Sequence, residues 1–335
     1  MRAMILQAPG GLDRIKLAEL EPARAPGANE IRVRLAASCI NFHDYGVANG
    51  TAPTEDGRIL LADGAGVVEA IGKNVVDFSP GDAVVSCIFP QWSKGAPQVS
   101  DFSQTPGDGV DGVAREEITA SVSAFTHAPA SYTMAESATI TTAGVTAWRA
   151  LMVNGPLKPG ETVLVQGSGG VSIYALQIAK AVGAVVIATT SSDAKAQRLR
   201  ALGADHVINY RDESEWGRRV WEWTEDQGVH HVIDVGGPST LAQSLEAVKI
   251  GGHIASIGIL GGWEAALPMV PILTKQVRLQ GCLNGCRQDQ ADLVAFLSTH
   301  AIRPIIDRSF PLEQLAEAFL HQESGSHFGK IVIKI

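Results

Sequence analysis

The sequence predicts an α/β protein of two domains, one β-rich and one built on a doubly wound parallel sheet. Three observations lead to this prediction: a length of 335 residues, a change of pattern near residue 131, and a final segment that returns to the first pattern. A chain of this length exceeds what one ordinary hydrophobic core accommodates, which favours two domains. The hydrophobic content of 45% and the charged content of 19% indicate well-buried globular units.

The first third of the chain alternates apolar and polar residues with a period of two. Ile31, Val33 and Leu35 lie on one face of a predicted strand, and the arginines between them lie on the other. Valine pairs further along stand beside glycines, a pattern typical of short strands joined by sharp turns. The segment 93–112 has no periodicity and is rich in Gly, Pro, Ser and Asp, so we expect a long surface loop of the kind that often carries function.

From about Ser131 the pattern changes to a regular alternation of strands and helices. After a helix over 133–151, this alternation predicts a parallel sheet with helices on both faces. The predicted strands cover 162–166, 184–190, 206–210, 229–235 and 252–257, and the predicted helices cover 171–182, 193–202, 213–224 and 239–248. A helix over 312–322 and a closing strand over 330–335 are expected to complete the first domain.

Charge and cysteine content narrow the classes of partner. The net charge of −8 disfavours a nucleic acid or an anionic membrane, because both bind basic surfaces. No apolar run reaches the length of a bilayer span, and the first residues lead into a strand rather than a signal peptide. The four cysteines form neither a disulfide framework nor a Cys-x-x-Cys motif, so a reducing, cytoplasmic compartment is expected.

A glycine-rich turn with the sequence GSGGVS joins the strand 162–166 to the helix that follows it. Glycines let the backbone approach a pyrophosphate, and the helix N-terminus offers free N–H groups and the positive end of its dipole. Ser172 replaces the last glycine of the usual pattern and is small enough for close packing of helix on strand. A structural turn without a ligand is the alternative, which the strand–helix series disfavours. The residues predicted to contact a dinucleotide are Ser168, Gly169, Gly170 and Val171.

The second strand of this unit ends where an adenosine ribose would lie. NAD sites place an acidic residue there, whereas this chain has a run of hydroxyl side chains and, one turn later, a lysine. These groups suit a 2′-phosphate, which a carboxylate would repel. Asp193 is acidic and close, and it is interpreted as a helix N-cap. The sequence therefore predicts NADP(H). The expected phosphate contacts are Thr190, Ser191, Lys195 and Tyr210.

Further landmarks occur in a fixed order along essentially the whole chain. They are GAGVVEAIG at 64–72, GDAVV at 81–85, AGVTAW at 143–148, GAD at 203–205 and ESGSHFGKIV at 323–332. Together with the glycine turn they resemble the medium-chain dehydrogenase/reductase superfamily, in its zinc-independent quinone-oxidoreductase-like branch. The resemblance implies a GroES-like catalytic domain over 1–126 and 300–335, a Rossmann NADP-binding domain over 127–299, and an active site in the cleft between them. It also implies a homodimer or homotetramer.

The zinc-dependent alcohol dehydrogenases of this superfamily hold their metal with three ligands. The resemblance places Asn41 at the first ligand position, Ala62 and Asp63 at a His-Glu pair, and Thr142 at the third ligand position. Cys39 lies two residues too early to serve as the first ligand. Zinc in proteins prefers histidine and cysteine donors, so the chain is expected to work without a metal.

Without a metal, hydrogen-bond donors must stabilise the negative charge that hydride transfer places on the acceptor. An enone or quinone spreads this charge over more atoms than a simple ketone, which favours reduction of such acceptors. The resemblance implies that Asn41 contacts cofactor or substrate and that His43 stands where zinc enzymes place a proton-relaying hydroxyl. A histidine there can donate a proton to an enolate, and Tyr45 is a further candidate donor. The alternative for His43 is a histidine without a chemical role.

The resemblance also assigns residues that line the cofactor. They are Asn41, Thr146, Gly236, Gly258 and Leu283. The chain is thus predicted to be a zinc-independent NADPH-dependent oxidoreductase that transfers a hydride to a quinone, an enone or a related carbonyl substrate. A metal-free NADP-dependent alcohol or aldehyde dehydrogenase and a non-catalytic NADPH-binding protein are the alternatives. The reductase is preferred because a cleft between two such domains usually encloses a substrate.

Overall fold

The computed structural model describes residues 1–264 and 266–335, which divide into two compact units. The first unit comprises Met1–Val145 and Gly285–Ile335, and the second comprises Thr146–Asn284. No helix in these described ranges combines the length and the hydropathy that a bilayer span requires.

Sixteen strands and ten α-helices are described in these two ranges. The strands are β1 (Arg2–Leu6), β2 (Ile15–Glu19), β3 (Glu30–Cys39), β4 (Arg58–Ile59), β5 (Asp63–Ile71), β6 (Ala83–Ser86), β7 (Glu117–Ser121), β8 (Phe125–His127), β9 (Thr162–Gln166), β10 (Val185–Thr190), β11 (His206–Asn209), β12 (Val229–Asp234), β13 (Val248–Ser256), β14 (Arg278–Gly281), β15 (Ile306–Pro311) and β16 (Lys330–Lys334). The helices are α1 (Phe42–Ala48), α2 (Met134–Ser137), α3 (Val145–Trp148), α4 (Gly170–Val182), α5 (Asp193–Ala201), α6 (Trp216–Trp223), α7 (Leu241–Ala247), α8 (Met269–Thr274), α9 (Arg287–Thr299) and α10 (Leu315–Glu323).

The first unit is built around strand β3, which pairs antiparallel with β5, β7 and β16 in a seven-stranded sheet. The predicted alternation along β3 is confirmed, since Ile31, Val33 and Leu35 are buried in the main core while Arg32 and Arg34 pair with Glu69. Each buried aliphatic side chain of this kind stabilises the fold by roughly 1.5–3 kcal/mol. A three-stranded sheet in the order β2-β1-β4 packs its apolar residues into the same core.

The second unit is a parallel six-stranded sheet in the order β11-β10-β9-β12-β13-β14. This arrangement confirms the predicted doubly wound sheet. Strands β9, β10 and β11 follow one another from the centre of the sheet to one edge. Strands β12, β13 and β14 follow one another from the centre to the opposite edge. The strand order therefore reverses between β9 and β12, and in sheets of this class the carboxyl ends of the strands at that reversal form the ligand site.

Two predicted segments differ in detail from the structure. The helix predicted over 133–151 extends to Asn154, and it alternates α-helical turns with π-helical segments at Ile140–Gly144 and Arg149–Asn154. The segment 93–112 lacks helices and long strands, as predicted, but it is not only a surface loop. Thr105 is fully buried, and Phe102 packs against a small apolar cluster because the loop folds back onto the first unit.

The boundaries between the two units also differ from the predicted domain limits at 126/127 and 299/300. Residues 127–145 and 285–299 belong to the first unit, because α2 packs on β3, β5 and β16 and α9 packs on β8. Gln290 of α9 reinforces this packing, since its Nε2 donates to Thr126 Oγ1 at 2.7 Å. Such tertiary contacts leave no mark in the local sequence pattern.

Candidate active site

The glycine turn lies at the carboxyl end of β9, where the strand order reverses. Gly167 has a φ of 73°, a left-handed conformation that favours glycine. A Cβ atom built on Gly167 or Gly169 would meet nothing within 4 Å, so open space borders the turn. Ser172 Oγ donates to the carbonyl of Gln166 at 2.6 Å and ties α4 to the strand, in line with the packing role predicted for this position.

A buried polar network fixes the neighbouring turn after β12. Gln166 Nε2 donates to Ser244 Oγ at 2.7 Å, and Ser244 Oγ donates to Asp234 Oδ2 at 2.7 Å. The other Asp234 oxygen accepts from the backbone N–H of Gly237 at 2.8 Å. Sequence reasoning missed this network, although polar residues at the ends of two buried strands are a signal that could have revealed it. Because its members bond one another, the turn that holds Gly236 has a defined shape.

Strand β10 ends at Thr190, whose hydroxyl is buried and has no hydrogen-bond partner among the described residues. The next helix is capped by Ser192, whose Oγ accepts from the backbone N–H of Lys195 at 3.3 Å. The prediction that Asp193 is the N-cap is therefore wrong. Ser192 has the extended backbone of a cap, and Asp193 is the first helical residue, with its carboxylate accepting from Asn209 Nδ2 at 3.2 Å.

The remaining predicted cofactor residues of the second unit differ in exposure. Thr146 is buried within α3, whereas Leu283 and Tyr210 are exposed. Gly258 packs closely on the backbone that follows β12, and a Cβ atom on Gly258 would lie 2.1 Å from the carbonyl oxygen of Val235. Only glycine fits at that position. Asn41, the other residue assigned to the cofactor, belongs to the first unit.

In the first unit, Asn41 precedes α1 and both ends of its side-chain amide are bonded. Its Nδ2 donates to Asp44 Oδ2 at 3.1 Å, and its Oδ1 accepts from the Nζ of Lys330. Lys330 is buried and also donates to the carbonyl of Ile40 at 2.8 Å. Lys330 was not predicted as a site residue, because residue 330 and residue 41 are brought together by the pairing of β16 with β3.

Asp63 lies fully buried at the start of β5. Its two carboxylate oxygens accept from Thr142, one from the backbone N–H at 3.1 Å and one from Oγ1 at 2.5 Å. Burial raises the pKa of Asp63 to about 6, while the positive charge of Lys330 and the bonds from Thr142 act in the opposite direction. Burial also raises the pKa of Asp44. The ammonium group of Lys330 supplies a positive charge that acts on both carboxyl groups, Asp44 and Asp63.

The side chains at the three ligand positions do not fit the zinc site of the zinc-dependent alcohol dehydrogenases. The three ligand positions carry the amide of Asn41, the methyl group of Ala62 and the hydroxyl of Thr142, and the amide and the hydroxyl are engaged in the bonds described above. Nearby Cys39 contacts the carbonyl of Ile331 through its thiol at 3.1 Å, and burial raises the pKa of that thiol to about 12, which disfavours the thiolate that a metal needs. Within residues 1–264 and 266–335, no three His, Cys, Asp or Glu side chains gather as a metal site.

Helix α1 presents His43 beside the segment 93–112. A hydrogen bond of 3.0 Å joins His43 Nε2 to Asp108 Oδ2, and the imidazole stacks on Phe102 with ring centroids 4.2 Å apart. Tyr45, the other candidate donor, packs its ring towards Phe319 and the main core. Neither Asp108 nor Phe102 was predicted, since nothing local in the sequence marks them.

A cavity of about 400 Å³ borders the same segment. It is lined by Pro53, Thr54, Glu55, Arg58, Ser103, Asp108 and Gly109. The Arg58 guanidinium is held by Glu55 at 2.9 Å and Asp111 at 3.2 Å, so its charge is balanced. Asp108 therefore contacts His43 and also lines this cavity.

Comparisons with known proteins agree with this architecture. The alcohol dehydrogenase GroES-like domain family matches residues 27–130, and the zinc-binding dehydrogenase family matches residues 170–299. The chain is 35% identical to zinc-type alcohol dehydrogenase-like protein C1773.06c of Schizosaccharomyces pombe, over 100% of this chain and 99% of that protein.

Solved structures show the same similarity. An NAD-dependent alcohol dehydrogenase superposes with a TM-score of 0.90 at 32% identity, covering 100% of both chains. A quinone oxidoreductase of Pseudomonas syringae pv. Tomato DC3000 superposes with a TM-score of 0.83 at 27% identity, covering 100% of this chain and 99% of that one.

Proposed function

The chain belongs to the medium-chain dehydrogenase/reductase superfamily, whose members are oxidoreductases, and on that premise we propose that it is a zinc-independent, NADPH-dependent reductase of quinones, enones or related carbonyl compounds. The observation that carries the proposal is a buried polar group in which Asn41 bonds Asp44 and Lys330, while Asp63 bonds Thr142 and is influenced by the charge of Lys330. By the family resemblance, Asn41 and Thr142 correspond to two of the positions at which zinc enzymes hold their metal, and Ala62 corresponds to the third. An acceptor that delocalises negative charge has the least need of a metal.

NADPH is supported by the turn after β9 and by the end of β10. Open space borders Gly167 and Gly169, and Thr190 has a buried hydroxyl without a partner in the described part of the chain. No carboxylate follows β10 until Asp193, which is engaged with Asn209. The residues that would hold the 2′-phosphate are Thr190, Ser191, Lys195 and Tyr210, those at the pyrophosphate are Ser168, Gly169, Gly170 and Val171, and those at the nicotinamide are Asn41, Thr146, Gly236, Gly258 and Leu283.

The bound nicotinamide would supply a hydride, that is, one hydrogen with two electrons. The residues of the chain then have to stabilise the electron-rich product and give it a proton. His43 is suited to this task because an imidazole can both donate and accept a proton and its side chain is 25% exposed, so solvent can return the proton after each cycle. The ammonium of Lys330 adds a fixed positive charge beside Asn41.

The proposal is tested by following oxidation of NADPH and NADH with a small quinone and with a neutral enone, before and after treatment with a chelator. We expect kcat/KM to favour NADPH by at least about tenfold, since a 2′-phosphate gains charge-assisted hydrogen bonds. The chelator should leave the rate unchanged. A preference for NADH, or zinc bound in stoichiometric amount, would contradict the proposal.

The same assay separates the two alternatives. Oxidation of secondary alcohols with NADP⁺, in the absence of quinone or enone reduction, would identify a metal-free alcohol dehydrogenase. Tight binding of NADPH without turnover across a panel of carbonyl compounds would identify a binding protein.

A further inference from the structure

We propose that Asp108 is a positioning residue that orients His43 as the proton donor to the substrate. The inference rests on the proposed function and adds to it a residue from the segment 93–112. It starts from one contact, the 3.0 Å hydrogen bond between His43 Nε2 and Asp108 Oδ2. A carboxylate can only accept, so the ring nitrogen that faces Asp108 carries the hydrogen.

Two contacts fix the imidazole in place. Phe102 stacks on it at an interplanar angle of 27° and sets the plane of the ring, while Asp108 sets its rotation within that plane. Both partners come from the segment 93–112, and both His43 and Asp108 are largely shielded, with side chains 25% and 14% exposed. A hydrogen bond shielded in this way is stronger than one in open water.

The backbone around Asp108 is itself anchored, although it lies in a loop. Thr54 Oγ1 donates to the carbonyl of Asp108 at 2.7 Å, and the N–H of Gly107 donates to the carbonyl of Val110 at 2.9 Å. Gly107 has a φ of 82°, and a Cβ atom there would lie 2.6 Å from the backbone nitrogen of Leu61. Gly107 therefore packs against Leu61 at a position that only glycine fits. This packing holds the neighbouring Asp108 carboxylate towards His43.

The geometry leaves one nitrogen of His43 available for chemistry. Nδ1 has no hydrogen-bond partner in the ranges that the structure describes. Two carboxyl groups interact with the ring, Asp108 through the hydrogen bond and the buried Asp44 through the charge of His43. A carboxylate that fixes the orientation of an imidazole and balances its positive charge is one arrangement by which histidine acts in acid–base catalysis.

The step that this arrangement performs can be written with its atoms and electrons balanced. When the β-carbon of an enone accepts a hydride, the electron pair of the carbon–carbon double bond moves towards the oxygen and an enolate forms. The Nδ1–H bond of the His43 imidazolium breaks, its electron pair stays on the ring, and the proton goes to the α-carbon. The saturated ketone leaves, and neutral His43 takes a proton from solvent.

Kinetic tests compare Asp108→Asn and Asp108→Ala with His43→Gln. The matched control is Asp101→Asn, because Asp101 lies in the same loop and accepts from the N–H and Oγ of Ser103 at 2.9 and 2.5 Å, without contacting His43. We expect both Asp108 variants to lower kcat for a neutral enone by roughly 10- to 100-fold with KM changed by less than about threefold, and the control to stay within about twofold. An Asp108 variant with unchanged kcat, beside a His43→Gln variant that has lost it, would overturn the proposal.

A second measurement needs neither cofactor nor turnover. A ring N–H that donates to a shielded carboxylate gives a low-field proton resonance, which is assigned in the wild-type protein by its loss in His43→Gln. We expect the signal to persist in Asp101→Asn and to vanish in Asp108→Ala. Its absence from the wild type, or its survival in Asp108→Ala, would refute the pairing. A wild-type enzyme that shows this signal but reduces no quinone or enone would leave the dyad standing and refute the proposed function.

Discussion

His253 lies in β13 with its imidazole fully buried, and neither ring nitrogen has a hydrogen-bond partner among the described residues. A second buried histidine, His231, stands beside it with ring centroids 5.8 Å apart and bonds Glu161 through Nε2 at 3.1 Å. Both imidazoles press on Gly155, where a Cβ atom would lie 2.4 Å from His253 Nδ1. Burial lowers the pKa of His253 from 6.5 to about 4. The free energy of unfolding of the second unit therefore depends on pH through His253.

The expected effect is a loss of stability in acid. Below pH 6.5 the unfolded chain binds a proton at residue 253, whereas the folded chain stays neutral there until about pH 4. The free energy of unfolding should therefore fall as the pH decreases from 6.5 to 4, by up to about 3 kcal/mol from this residue. Denaturant unfolding at several pH values should show a smaller slope in His253→Gln than in the wild type. The exposed His206 gives the control His206→Gln, and an equal slope in all three proteins would contradict the assignment.

Some residues of the candidate site could be proposed from the sequence, and others could not. Asn41, His43 and Asp63 could be proposed from the sequence because a fixed spacing in a known family marks them. Lys330 and Asp108 were missed because residue 330 reaches Asn41 through strand pairing and residue 108 reaches His43 through a folded-back loop. Side chains that meet across long stretches of chain, with no periodic pattern around them, become visible only in three dimensions.

At the scale of elements, the turn between β9 and α4 makes a prediction about cofactor binding. Gly169 has an ordinary φ of −76°, and a methyl group there would meet no protein atom within 4 Å. Gly169→Ala should therefore fold with a free energy of unfolding within about 1 kcal/mol of the wild type. The new methyl group would occupy the space proposed for the pyrophosphate, so the Kd for NADPH should rise at least about tenfold, close to 1.4 kcal/mol.

Calorimetric titration with NADPH and a denaturant curve measure the two quantities separately. Gly46→Ala adds a methyl group in similarly open space within α1 and serves as the control. Unchanged NADPH affinity in Gly169→Ala would mean that the cofactor does not use this turn. A large loss of stability would mean instead that the open space is part of the packing.

The elements themselves were predictable to different degrees. Strands β9 to β12 and helix α4 follow hydrophobic runs and a glycine turn closely enough that their limits were placed within about two residues. The helix over 133–151 was predicted as one α-helix, but its π-helical segments include Thr142, whose backbone N–H and hydroxyl both bond Asp63. A local pattern cannot reveal a widened turn that a distant carboxylate supports.

At the scale of the whole molecule, the second unit exposes large apolar side chains between residues 260 and 273. They are Leu260, Trp263, Leu267, Met269, Val270 and Leu273, with exposed fractions from 44% for Leu267 to 76% for Trp263. Strand β14 lies at the end of the sheet order, so one of its edges has no partner strand within the described chain. Exposed apolar surface and an open sheet edge are each typical of protein–protein interfaces.

We therefore expect a homodimer in which two copies of the chain cover this surface on each other, since a two-fold interface uses the same residues on both subunits. Replacing Val270 and Leu273 together with glutamate would bury like charges at such an interface and should convert the dimer to a monomer with its fold intact. Light scattering coupled to gel filtration measures the mass, and circular dichroism checks the fold. Val76→Glu, at a side chain 89% exposed in the first unit, is the control and should remain dimeric. A wild-type protein that is monomeric at micromolar concentration, or a Val270→Glu/Leu273→Glu variant that stays dimeric, would show that this surface does not join two copies of the chain.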